Sequence, residues 1–131
     1  MEKQDFAQWV KCAGGCAASV ATFLWGKPDL WFYGLIALTA LDYVTGIAAA
    51  LIKKELSSRT GLSGIIKKLL IFAIVAVAQI VDMTVHANGV VRNLAIGFLL
   101  GNEGLSILEN CGRCGVPIPK KLMDALEQLK E

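Results

Sequence analysis

The chain has 131 residues, of which 55% are hydrophobic and only 18% charged, with a formal net charge of +2. So apolar a balance excludes an ordinary soluble domain of this size and points to a membrane protein. The small net charge gives nucleic-acid binding no support, because the basic residues gather in one segment instead of alternating with aromatics.

The N-terminal stretch MEKQDFAQWVK carries charge of both signs and leads into a Gly- and Ala-rich segment without a clear small-residue cleavage site, so it is expected to be retained. A helix is predicted over residues 5–25. Its apolar positions Phe6, Trp9, Val10, Ala13, Ala17, Val20 and Leu24 recur at helical spacing opposite Gln8, Lys11, Cys12, Gly15, Ser19 and Thr22, which suits a surface helix as well as a span. Trp9 and Trp25 bracket about one bilayer crossing, and Trp25, Trp31 and Tyr33 flank the turn GKPD as an aromatic belt does.

Residues 30–52 form the strongest predicted span, with Asp42 as its single charge. At about 1.5 Å per residue it is long enough for a hydrocarbon core roughly 30 Å thick. A cytoplasmic basic loop is predicted over residues 53–68, where Lys53, Lys54, Arg59, Lys67 and Lys68 face one acid, Glu55. Further spans follow over residues 65–86 and 90–109, the latter too polar to face lipid all round, since it holds Arg92, Asn93, Asn102 and Glu103. The expectation is therefore one all-α domain over residues 1–131 with three to four transmembrane helices, its C-terminus cytoplasmic. Within the tail, residues 111–131, Gly112, Gly115, Pro117 and Pro119 break the helix before a short amphipathic one with Leu122, Leu126 and Leu129 on one face.

The polar residues inside the spans fall on stripes. Asp42 shares its helix face with Thr39, Thr45, Gly46 and Ala49; Gln79, Asp82 and His86 form a second stripe; Asn102, Glu103, Ser106 and Glu109 crowd the end of the last span. A central Asp costs about 2.5–3.5 kcal/mol on insertion scales against about 0.3–0.6 gained per Leu or Ile, so such a helix still inserts. Two accounts stay open. The groups satisfy one another within one copy, for instance Asp82 with Arg92 across the turn HANGV, or several copies turn these stripes toward a common water-filled space. Gly97 and Gly101 form a G-x-x-x-G pair that permits close helix packing, within one copy or between copies. Cys12 with Cys16 and Cys111 with Cys114 have dithiol spacing but lack a redox context; free thiols, with no metal and no cofactor, are the expectation, although the four would hold zinc if the pairs met. His86 has no second His or Cys nearby and reads as interfacial.

The stretches ALDYVTGIAAALIKKELSSRTGLSGIIKKL, QIVD and GNEGLSILENCGRCGVPIP, in this order, resemble the phage holin family of the toxin-secretion and phage-lysis type. They cover most of the chain from Asp42 to Pro119. The resemblance implies a small multi-pass protein of the bacterial cytoplasmic membrane that assembles with copies of itself and opens lesions through which a cell-wall-degrading endolysin, or a toxin, leaves the cell without catalysis. It also implies a role for Asp42, Thr45, Gly46, Ser57, Ser58, Gly61, Lys68, Asp82, Glu103, Ser106, Glu109 and Asn110. A small ion or solute channel and a non-opening antiholin or scaffold share the same features. An intramembrane aspartyl protease lacks support, because Asp82 stands in IVDM without a G-x-G-D signature.

Overall fold

The computed structural model describes residues 2–131, and every regular element among them is a helix: α1 (Lys3–Trp25), α2 (Leu30–Ile52), α3 (Ser58–Val85), α4 (Val90–Arg113) and α5 (Lys120–Gln128). Local chemistry sets the ends. Gly26, at φ 79°, lets the backbone turn sharply after α1, and Asp29 then caps α2 by accepting from the Phe32 amide at 2.9 Å. Ser57 and Thr60 form a reciprocal capping box at the start of α3. The residues around Pro117 and Pro119 separate α4 from α5.

Two of these boundaries correct the sequence reading. The basic segment 53–68 is a short turn followed by helix, because the capping box starts α3 at Ser58; Arg59, Lys67 and Lys68 are therefore helical, and only Lys53 and Lys54 lie in the turn. Likewise, two helices rather than three or four are apolar enough to cross a membrane, α2 and α3. The other two long helices have the length but not the composition: α4 carries Arg92, Glu103, Glu109 and Arg113, and α1 carries Lys3, Asp5 and Lys11 among many small residues.

Packing is centred on α4, which touches α2, α3 and α5, while α1 touches α3. Each central helix buries one stripe: Leu35, Thr39, Asp42 and Ala49 of α2; Ile71, Val75, Ala78 and Asp82 of α3; Arg92, Ile96, Leu99 and Glu103 of α4. These steps of three and four residues are one helix face each. Leu35, Ile71, Val75, Ile96 and Leu99 form the apolar middle, ringed by Trp25, Phe32, Phe72 and Leu100. Phe32 meets Phe72 edge-on at 5.9 Å between ring centroids.

The distribution of polarity is inverted relative to a water-soluble bundle. Leu41, Val44, Leu51, Leu69, Leu70, Val77 and Leu94 each expose more than half of their surface, whereas Asp42, Asp82, Arg92 and Glu103 are buried. Contiguous apolar surface on this scale is not stable against water, but it matches hydrocarbon, where the charges retreat inward. Together with the two apolar helices, this makes the chain a membrane protein.

Candidate functional site

The buried stripe carries polar groups at two levels, one on each side of the apolar middle. Nearer the basic turn, the Lys68 ammonium of α3 donates to the carboxylate of Asp42 on α2 and, at 2.7 Å, to Glu103 Oε2 on α4. Asn110 donates from Nδ2 to Asp42 Oδ1 at 2.9 Å and to Thr45 Oγ1 at 3.1 Å. Thr45 Oγ1 in turn donates to the Leu41 carbonyl at 2.9 Å. Gly46 faces Asn110, whose Nδ2 would lie 3.6 Å from a Cβ there.

Asp42, Lys68 and Glu103 each stand ten residues from the same end of the bundle, counting to Ile52, from Ser58 and to Arg113 respectively. At 1.5 Å per residue the three charges meet at one level, about 15 Å inside. Two carboxylates share one ammonium there. A cavity of about 460 Å³ leads toward this cluster from the basic turn, lined among others by Tyr43, Thr60, Lys67, Ser106, Asn110 and Arg113. Buried charges are costly unless paired and hydrogen-bonded, and this arrangement supplies both requirements from three different helices. Thr39 lies one turn further in, with its buried hydroxyl lacking a hydrogen-bond partner.

The other level closes the opposite end. Asp82 does not pair with the Arg92 side chain, as the sequence suggests. It accepts the amides of Gly89 at 2.8 Å, Val91 at 2.7 Å and Arg92 at 3.2 Å, and so caps α4 from the neighbouring helix. His86, Asn88 and Gly89, all at positive φ, fold the turn that allows this. With Asp82 engaged, the Arg92 guanidinium turns to Asp29, donating from Nη1 to Oδ2 at 2.7 Å and from Nη2 to Oδ1 at 3.2 Å; its Nε donates to the Trp25 carbonyl at 2.7 Å. Those Arg92 hydrogen bonds, aided by the Phe32 amide, hold the Asp29 carboxyl below its ordinary range despite partial desolvation.

The remaining residues singled out in the sequence scatter. Gln79 is half-buried, and its Oε1 would lie 3.0 Å from a Cβ at Gly26. Asn102 is half-buried, and Glu109 is exposed away from the cluster that holds Glu103. Gly97 and Gly101 face different neighbours: a Cβ at Gly97 would meet the Trp31 ring at 3.4 Å, and one at Gly101 would meet Leu129 Cβ of α5 at 2.9 Å. Cys12 and Cys16 are exposed on α1, Cys111 and Cys114 are half-buried, and all four are free. Among the described residues no three His, Cys, Asp or Glu side chains converge as a metal-holding group. Spacing alone missed Lys68 as the cation of the cluster; Ser57-x-x-Thr60 as a helix start would have placed it three turns inside α3.

Comparison with known proteins gives the family. The family model described as the bacteriophage holin family matches residues 19–131. An uncharacterized 14.9 kDa protein of Clostridium perfringens is 38% identical over 127 residues, covering 96% of each chain. A second uncharacterized protein, from C. perfringens strain 13, is 44% identical over 110 residues, 82% of this chain and 81% of its own. A probable holin of Bacillus phage phi105 is 38% identical over 96 residues, 73% of this chain and 71% of its own. No solved structure matches. A helical bundle that buries Asp42, Asp82, Arg92 and Glu103 and is matched over residues 19–131 by one family model belongs to the bacteriophage holin family.

Proposed function

We propose that the chain is a holin of the bacterial cytoplasmic membrane that associates with copies of itself and opens lesions, releasing a cell-wall-degrading endolysin or a toxin. In this reading α2, α3 and α4 cross the bilayer, α1 supplies a fourth crossing, and the basic turn with the C-terminus faces the cytoplasm. α4 inserts despite its charges because Arg92 and Glu103 are satisfied by partners on neighbouring helices.

The observation that carries the reading is the shared ammonium. Lys68 holds two carboxylates from two other helices, so the polar stripes are paired within one copy yet depend on contacts that helix displacement breaks. Asp42, Thr39, Thr45, Gly46, Glu103 and Ser106 would turn toward a common aqueous space on assembly, with Gln79, Asn102 and Glu109 extending it, while Asp82 stays in the α4 cap. A sealed and an open state differing in a few such pairs is what a protein that stays harmless and then acts requires.

Expression of the chain with an endolysin tests this. Wild type should produce sudden lysis with release of folded enzyme, and Asp42→Asn should shift the onset while membrane insertion is unchanged. Onset identical to wild type would remove the cluster from the mechanism. The cavity within one copy favours a second reading, a small ion or solute channel. Ion flux without protein release would select that channel, and neither event would select a non-opening antiholin or scaffold.

A further inference from the structure

The C-terminal helix lies where a spanning α4 cannot keep it. α5 folds back along α4 so that a Cβ at Gly101 would stand 2.9 Å from Leu129 Cβ, 3.0 Å from the Leu126 carbonyl oxygen and 3.5 Å from Lys130 Cγ. A Cβ at Gly104 would meet the Leu126 side chain at 3.2 Å. The two helix backbones therefore touch at glycine, and both glycines are buried by that contact.

Gly101 is 11 residues from Val90 and 12 from Arg113, the ends of α4. That is about 17 Å from either end, the mid-plane of a core roughly 30 Å thick if α4 crosses it. Lys130 and Glu131 lie beside that level, and Asp124 and Glu127 are exposed along the same helix. None of these charges forms a salt bridge among the described residues. Each unpaired charge at mid-depth is costly, because hydrocarbon replaces none of its hydration. Against this, the burial of Leu126 and Leu129 gains little, because lipid tails are as apolar as leucine. In water the balance reverses, since the leucines and the glycine face are then covered.

Resting on α4 being a span, we propose that α5 is a detachable strap, seated while this part of α4 is outside hydrocarbon and released once α4 crosses, and that its release uncovers the contact surface for a second copy of this chain. The uncovered stripe, Gly101, Gly104, Leu105 and Leu108, holds no charge and no polar side chain, so it does not suit a water-filled lumen. It already accepts a helix backbone at contact distance. The same stripe on a second copy offers a glycine-bearing, uncharged partner for two-fold packing.

The test locks the strap. In the full-length chain with its four native cysteines changed to Ser, Gly104→Cys and Leu126→Cys are joined by a disulfide before reconstitution into dye-loaded vesicles. A photo-crosslinking side chain in place of Leu105, which is buried while the strap is seated, reports contact between copies. Reduction should raise inter-copy cross-linking several-fold and speed dye release. Leu126→Asp with Leu129→Asp, which needs no disulfide, should cross-link and release earlier than wild type. Failure of the disulfide to form, or equal cross-linking in the locked and reduced chains, overturns the strap. Cross-linking that rises on reduction while no form releases dye leaves the strap standing and rejects the lesion reading instead.

Discussion

The two polar levels of the bundle use the same residue types in opposite ways. Asp82 is held by three backbone amides of a turn and helix that follow it directly in sequence. Such a carboxylate completes a helix start and has no other arrangement of comparable quality. Asp42 is held by side chains from two other helices, Lys68 and Asn110, and shares its cation with Glu103. Backbone capping fixes one geometry, whereas side-chain pairing between helices survives only in one relative placement of those helices. The outer level is a clasp, and the inner level is a contact that rearrangement can exchange.

Removing the inner cation should have the largest effect. Lys68→Met leaves two buried carboxylates facing each other and should lower stability in detergent by about 3–5 kcal/mol, read by denaturant titration. Adding Asp42→Asn and Glu103→Gln should restore most of it, and a failure to do so would show that packing rather than charge holds this level. At the outer level, Asp82→Ala should cost about 1–3 kcal/mol by orphaning three amides. Hydrogen exchange should quicken at Gly89, Val91 and Arg92 while the Lys68 neighbourhood stays protected. Equal effects on both levels would erase the distinction between them.

The smallest effect is pH-dependent and belongs to the outer level. Because the folded Asp29 carboxyl titrates below its ordinary value of 3.8, its bond to Arg92 is fully stabilising above that value and is lost as pH falls through the lower, folded one. Solvent screens it, since the Asp29 side chain is 41% exposed. Thermal unfolding of the wild type should weaken as pH falls below about 4 more than that of Asp29→Asn. Parallel curves would place the acid sensitivity elsewhere.

Much of this was legible in the sequence. Apolar runs located the central helices, and the stripe through Asp42 included Thr39 and Ala49 of the buried face of α2, whereas of the stripe Gln79, Asp82 and His86 only Asp82 is buried. Periodicity reveals which face of a helix is special but not which other face it meets. The partnership of Arg92 with Asp29, 63 positions apart, left no local trace. Lys68 was counted with the basic loop, at its overlap with the predicted span, because hydropathy treats every lysine as exposed, while a helix cap eleven residues earlier placed it well inside α3. Glu109 is exposed while Glu103 is buried, because six residues of helix carry it to a different side of α4. The return of α5 onto Gly101 and Gly104 was hidden because small-residue spacing does not say what fills the space it leaves.

The turn held by Asp82 also bears on how the chain enters the bilayer. If α3 and α4 both cross as proposed, only His86, Ala87, Asn88 and Gly89 between Val85 and Val90 have to reach the far side, and none bears a formal charge at neutral pH. With the first amides of α4 already satisfied by the end of α3, the two helices can be delivered as one pre-folded hairpin. Translocation then drags almost no hydrated backbone through hydrocarbon.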